Sequence, residues 1–181
     1  MLVRLENFGR ENYADLISWI DSEETLMQFG GPLFTFPLTD EQLDISLSDP
    51  GRMVFTVVNN ETNASIGHAE IYVSGTSAKL GRILIGDKNY RGKGLGQQIV
   101  HLLLQFTFSR LNKTLVELNV FDWNSNAIKC YETVGFVINP HIRLERKIKS
   151  ETWIAINMTI HQSTYEMKNG SAKINKDSAS I

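Results

Sequence analysis

The sequence predicts a mixed α/β (α+β) sandwich around one central sheet, and three observations predict it. Two runs rich in β-branched residues are joined by the turn-forming stretch Asn-Asn-Glu-Thr-Asn at 59–63. A later apolar run leads directly into the longest helix-periodic stretch of the chain. Strands come first and crossover helices separate the later ones, which is the order of a sheet covered by helices.

Each element has a local reason. Residues 2–8, LVRLENF, alternate as a strand does, and residues 11–20 place Tyr13, Leu16, Ile17 and Ile20 on one helical face. A second helix is expected from about Asp40, because Thr39 with Gln42 three residues on forms a capping box after Pro37. Residues 52–73 read as a hairpin, and KLGRILIGD (79–87) as a further strand. The long helix is expected from about Gly92 to Leu111. Leu95, Ile99, Leu102, Leu103 and Phe106 face inward, and Gln97, His101, Gln105 and Ser109 form a polar stripe to solvent. TLVELNVF (114–121) is the next strand, SNAIKCYETV (125–134) a short helix ended by Gly135, and FVIN (136–139) with WIAINMTI (153–160) the last strands. Residues 1–160 thus form one domain, whereas 161–181 are polar and without periodicity, the mark of a mobile tail.

Bulk composition narrows the function classes. A chain of 181 residues with 42% hydrophobic and 21% charged residues has the make-up of one soluble globular domain. A net charge of -2 argues against a nucleic-acid binder, which needs a basic excess for the phosphate backbone. Cys130 is the single cysteine, so neither an intrachain disulfide nor a cysteine metal cluster can form, and a reducing cytoplasm is the expected location. The opening MLVRLENFGREN lacks the apolar run of a signal peptide, and no segment approaches the roughly 20 apolar residues of a membrane span. His68, His141 and His161 have no ligand spacing, and no metal is expected.

The most informative stretch is NYRGKGLGQQIV (89–100), where glycines join a buried strand to a helix. Glycine lets the backbone approach a ligand, and the helix start points unpaired N–H groups outward, an arrangement that attracts phosphate. A Walker loop would end in Gly-Lys-Ser/Thr, but Gly96 is followed by Gln97 and Gln98. A dinucleotide fingerprint belongs to the first strand of a parallel unit, and this turn lies halfway along the chain.

Arg91-x-x-Gly94-x-Gly96, preceded by ILIGDKNY and followed by NSNAIKCYETVGF (124–136), resembles the GNAT superfamily of acetyl-CoA-dependent N-acetyltransferases. The similarity covers about residues 2–160, including DSEETLMQFGGP (21–32), and is strongest to the branch of ribosomal-protein N-terminal and spermidine acetyltransferases. It implies a GNAT-like fold, with a mixed, mostly antiparallel sheet of six to seven strands and about four helices. It implies acetyl-CoA as cosubstrate. The pyrophosphate would lie on the amides of Arg91, Gly92, Lys93, Gly94, Leu95 and Gly96, and the pantetheine arm would pair with Ile83, Leu84 and Ile85 as an added strand. Asn124 would hydrogen-bond the cofactor and Tyr131, seven residues on and on the same helical side, would protonate the departing thiolate. Each residue has a plainer reading too: Asn124 as a helix N-cap, Tyr131 as core, and Cys130 as a small buried hydrophobe rather than a nucleophile.

Acyl transfer to an amine also needs a proton acceptor. Glu70 is the leading candidate, ahead of Glu117, Asn119 and Asp122, and the glutamate common in that branch is replaced by Lys79. The acceptor side is expected around LMQFGGPLFTF (26–36), for a small amine, a polyamine or a peptide N-terminus. Asp21, Glu23 and Glu24 suit either a cationic amine or an exposed acidic loop, with the loop preferred. Pairing of the last strand between two subunits would make a homodimer. The rival readings are a non-catalytic acyl-CoA-sensing or partner-binding module, and a nucleotide-binding regulator.

Overall fold

The computed structural model describes residues 1–169. Seven strands form one sheet: β1 (Val3–Asn7), β2 (Arg52–Asn59), β3 (Ser65–Ser74), β4 (Ser77–Ile85), β5 (Leu115–Phe121), β6 (Val137–Ile148) and β7 (Glu151–His161), in the order β1-β2-β3-β4-β5-β7-β6. Every pairing is antiparallel except β4 with β5. That parallel pair is forced by the crossover, because a helix must carry the chain back between two strands that run the same way.

Among the described residues six α-helices flank the sheet: α1 (Tyr13–Trp19), α2 (Glu23–Gly30), α3 (Asp40–Leu47), α4 (Leu95–Ser109), α5 (Ser125–Val134) and α6 (Gln162–Asn169). The larger core lies under α4, where Leu95, Ile99, Val100, Leu103, Leu104 and Phe108 meet Phe55, Val57, Ile71, Leu80, Val116 and Met158 of the sheet. A smaller core on the other side gathers Tyr13, Leu16, Ile20, Leu26, Phe29, Leu38 and Leu43 from α1 to α3 and their connections.

The expected elements are present, with differences that have local causes. The helix expected from Gly92 begins at Leu95, because Gly92 and Gly94 both sit at φ +74°, the left-handed region that helices exclude. Thr39 caps α3 through its hydroxyl, which accepts from the Gln42 N–H at 3.4 Å. Gln42 does not complete the box: its side chain binds the Thr35 N–H and the Thr35 and Pro37 carbonyls, tying down the preceding loop.

Two helices and most of a strand were not expected. α2 starts where the Ser22 hydroxyl accepts from the Thr25 N–H. β6 runs for twelve residues rather than the short FVIN, but as an edge strand it is almost wholly exposed and so carries no apolar pattern. The tail expected from 161 instead continues into α6, which folds onto α4: Tyr165 is 5% exposed and its hydroxyl meets His101 Nδ1 at 3.1 Å. His101, expected in solvent, is thereby half-buried, and burial together with nearby Lys168 lowers its pKa. The remaining tail, 170–181, lies outside the described residues.

Candidate active site

The parallel pair is what opens the sheet. β4 and β5 pair only over Ser77–Leu80 and Leu115–Leu118. Beyond Leu80 the edge of β4 facing β5 is bare, while Asn119–Phe121 keep their pairing with β7. A bulge sharpens the divergence: Glu70 faces Gly81 and His68 faces Leu84, so Arg82 and Ile83 together oppose Ala69, with Arg82 at φ +51°. The gap holds a cavity of about 520 Å³ lined by Gly81, Arg82 and Ile83 on one wall and Asn119, Val120 and Phe121 on the other. Because Asn124, Ala127 and Tyr131 also line it from the α4 side and Met27–Leu33 from the opposite side, the cavity runs through the sheet.

Ile83 borders the cavity, and Leu84 and Ile85 continue the β4 edge that β5 leaves unpaired. Ile83 and Ile85 pack toward the larger core and Leu84 toward the smaller, leaving main-chain groups as what the edge presents.

At the far end of β4 comes the glycine turn. A Cβ built on Gly92 or Gly94 meets nothing within 4 Å, so the glycines are needed for their backbone conformation and not for want of space. Gly94 stands at the N-cap of α4 and no side chain caps the helix, which leaves first-turn N–H groups facing outward with the positive end of the helix dipole. Arg91 differs from its neighbours. Its N–H is spent on the Lys88 carbonyl at 3.2 Å, and its guanidinium clamps the Ile85 and Gly86 carbonyls at 2.8 and 3.3 Å. It shapes the turn, and its own N–H, expected among those facing the pyrophosphate, is already bonded.

Asn124 is a helix cap that also borders the cavity. Its Oδ1 caps α5 by accepting from the Ala127 N–H at 3.2 Å, while the residue lines the cavity. Tyr131 lines the same wall, its ring edge-on to Phe136 with centroids 5.9 Å apart, and its hydroxyl has no hydrogen-bond partner among the described residues. Burial, with Cys130 beside it, pushes the phenol pKa well above its usual value, so the hydroxyl keeps its proton at neutral pH. Cys130 is half-buried against α4, its Sγ 3.4 Å from where a Cβ on Gly96 would stand, and burial raises its pKa. That is the packing role, not a nucleophile's.

Glu70, the leading candidate for the proton acceptor, is buried and fully engaged. It is 3% exposed, with Oε2 held by Arg52 at 2.6 Å and Oε1 by Arg82 at 2.8 Å and His68 Nε2 at 3.1 Å. Burial would raise its pKa, but His68, Arg82 and Arg52 outweigh that and hold it well below the usual carboxylate range. A carboxylate so stabilised is a poor base. His68, wedged edge-on between Phe8 and Phe29, is kept neutral by burial.

The other candidates are also engaged. Asp122 pairs with Arg143 at 3.4 Å, and Glu117 with Lys79 at 3.8 Å and the Asn157 amide at 3.3 Å. Glu23 and Glu24 form the first turn of α2, while Asp21 stays in the loop before its N-cap Ser22; Asp21 pairs with Lys88 and the two glutamates with Lys149, away from the cavity.

Sequence reasoning missed the arginines. Arg82 donates to Ser46 of α3 at 2.7 Å and stacks over Phe34, 4.3 Å from the ring centroid, so it ties α3 and the segment after α2 to the bulge. Its one signal was a charge inside the apolar run KLGRILI. Arg52 and Arg146 line the cavity from β2 and β6, each with one strand, β3 or β7, between it and the pair that opens. Among the described residues no three His, Cys, Asp or Glu side chains converge to hold a metal.

Comparison with known proteins agrees with this geometry. Residues 14–136 match the family described as Acetyltransferase (GNAT) family. A stretch of 53 residues is 36% identical to a probable spermine N(1)-acetyltransferase of Bacillus subtilis subsp. natto (strain BEST195), covering 29% of this chain and 35% of that protein, so the match spans about a third of this curated relative. Over 91% of this chain and 98% of the other, the fold is similar to a crystal structure of spermidine N-acetyltransferase from Vibrio cholerae in complex with CoA and spermine, with a TM-score of 0.75 at 24% identity. A dodecameric structure of spermidine N-acetyltransferase from Vibrio cholerae gives 0.73 at 23% identity over 93% of this chain and 99% of that one.

Proposed function

The chain belongs to the acetyltransferase (GNAT) family, and on that premise we propose that it moves an acetyl group from acetyl-CoA to a primary amine by direct attack in a ternary complex. The observation that carries the reading is the bare β4 edge with an unpaired phenol, Tyr131, in the same cavity. The pantetheine arm pairs with the main chain of Ile83, Leu84 and Ile85, and Asn124, whose Nδ2 is not used in capping, donates to it. The amides of Gly92–Gly96 hold the diphosphate, with the Arg91 side chain bracing their turn.

The amine nitrogen attacks the thioester carbonyl carbon from the side of Met27–Leu33, the carbon–sulfur bond breaks, the thiolate takes the Tyr131 proton, and the phenolate regains a proton from solvent. The proton of the attacking amine passes to solvent, since Glu70 is committed to its arginines. Polyamines enter as an acceptor class from the relatives' names, and a small amine or a peptide N-terminus fits a cavity that opens on both faces.

A cytoplasmic protein suits the one free cysteine, and the net charge of -2 speaks against nucleic acid as a partner. Among the described residues no helix is long and apolar enough to cross a membrane. The last strand, β7, is paired on both sides by β5 and β6 and so cannot join two copies; the free edge is β6, where exposed Val137, Ile138 and Ile142 support association of two copies instead. In a sedimentation experiment Ile138→Lys then gives monomer, and an unchanged mass removes this interface.

The test of the reaction is thiol release from acetyl-CoA with a panel of amines. Tyr131→Phe should lower kcat by about 10²-fold with little change in cofactor affinity, and full turnover without the phenol would remove Tyr131 from the proton's path. A second reading, a module that senses acyl-CoA without turnover, is favoured by the lack of a free carboxylate in the cavity. It predicts tight CoA binding with no amine consumed.

A further inference from the structure

The charges that line the cavity have the wrong sign for a purely cationic acceptor. Arg52, Lys79, Arg82 and Arg146 are positive and Asp49 and Glu70 negative, so four less two leaves a net +2. Both acids are already neutralised: Glu70 by Arg52 and Arg82 at 2.6 and 2.8 Å, and Asp49 by Arg52 at 3.6 Å. A second ammonium on the acceptor would therefore find no carboxylate free to receive it. The acidic residues of α2 are ion-paired outside the lining and do not change this.

Two cations are undercompensated. Lys79 keeps 39% of its side chain exposed, and its one counter-ion among the described residues, Glu117 at 3.8 Å, is shared with the Asn157 amide at 3.3 Å. Arg146 has no carboxylate partner among the described residues, and its Nη1 donates to the Glu145 carbonyl at 2.9 Å. Neither belongs to the proposed diphosphate site. Lys79 precedes Ile85 by six residues, about 20 Å along an extended strand, and the glycine turn lies beyond that; Arg146 lies on β6, across β5 and β7 from β4.

Resting on the acetyl-transfer reading above, we propose that the acceptor is a primary amine that also carries an anionic group, a carboxylate or a phosphate, which the undercompensated cations Lys79 and Arg146 select over polyamines. The same field serves the chemistry. Cations around the reacting amine disfavour its ammonium form, so the neutral nucleophile is reached without a dedicated base.

The test compares two acceptors of equal length that differ only at the far end, 4-aminobutanoate and 1,4-diaminobutane, with 2-aminoethyl phosphate separating phosphate from carboxylate. Thiol release by the full chain should give kcat/KM at least about ten-fold higher for an anionic amine than for the diamine, with the gap narrowing as salt is added. The Lys79→Glu/Arg146→Glu double variant should reverse the order. A diamine preferred by the unaltered protein overturns the proposal, and so does a ratio that the double variant leaves unchanged. Melting curves with CoA separate the two failures. If CoA stabilises the protein and the diamine is the better acceptor, the charge argument alone fails; if CoA does not stabilise it and no amine is consumed, the acetyl-transfer reading fails and takes this one with it.

Discussion

Glu70 shows how a single residue can be assigned to one chemistry by its spacing and to another by its neighbours. On the strand it is one acid among several, but folded it is the anion that two arginines and a histidine share. Glu70→Gln should cost roughly 3–5 kcal/mol, because it strands the nearly buried Arg82 guanidinium without its counter-charge. Its folded pKa lies below the free value, so the stabilisation is present in full above about pH 4.5 and is lost as pH falls toward about 2. His68 adds to the acid lability from about pH 6.5 downward, since the unfolded chain takes up a proton that the buried ring refuses. Urea melts of wild type and Glu70→Gln across that range check both signs. A variant as stable as wild type would mean that the pairing is energetically idle. If Glu70 is instead the catalytic base, kcat/KM falls steeply at a stability that hardly changes.

At the scale of elements, the glycine turn was legible and the C-terminal helix was not, for one reason. Gly92 and Gly94 answer to a backbone requirement that is local, a positive φ next to a helix start, and a short motif suffices to announce it. Gly94→Ala should therefore lower stability by about 1–2 kcal/mol through strain alone, since the Cβ has open space. It should weaken CoA, measured by calorimetry, while leaving pantetheine without the diphosphate unaffected. Equal losses for both ligands would separate the turn from the diphosphate. α6 carries almost no periodicity of its own, and what orders it is Tyr165 lodged against Phe108 and against His101, 64 residues earlier in the chain. β6 was underestimated because an exposed edge strand is selected by its ladder with β7 and not by apolar alternation.

For the whole molecule, the decisive feature is that one parallel pair in an otherwise antiparallel sheet comes apart halfway along. A ligand that holds both sides of that gap binds the native state only, so CoA at about 100 times its Kd should raise stability by about 2.7 kcal/mol, read as an upward shift in Tm. ATP, which can use the glycine turn but not the open strand, should do much less, and equal shifts for the two would favour a nucleotide-binding regulator. By itself the sequence determined the sheet-and-helix class, the glycine turn, the helix bearing Asn124 and Tyr131, and the family resemblance, because each is written in neighbouring residues through periodicity, capping and backbone freedom. Tertiary structure alone decided that Glu70 is locked to Arg52 and Arg82, that α6 covers His101, and that the cavity is lined by more positive charge than negative. Those facts depend on side chains distant in sequence meeting across the sheet, and a charge takes its chemical meaning from the partner it meets and the water it loses there.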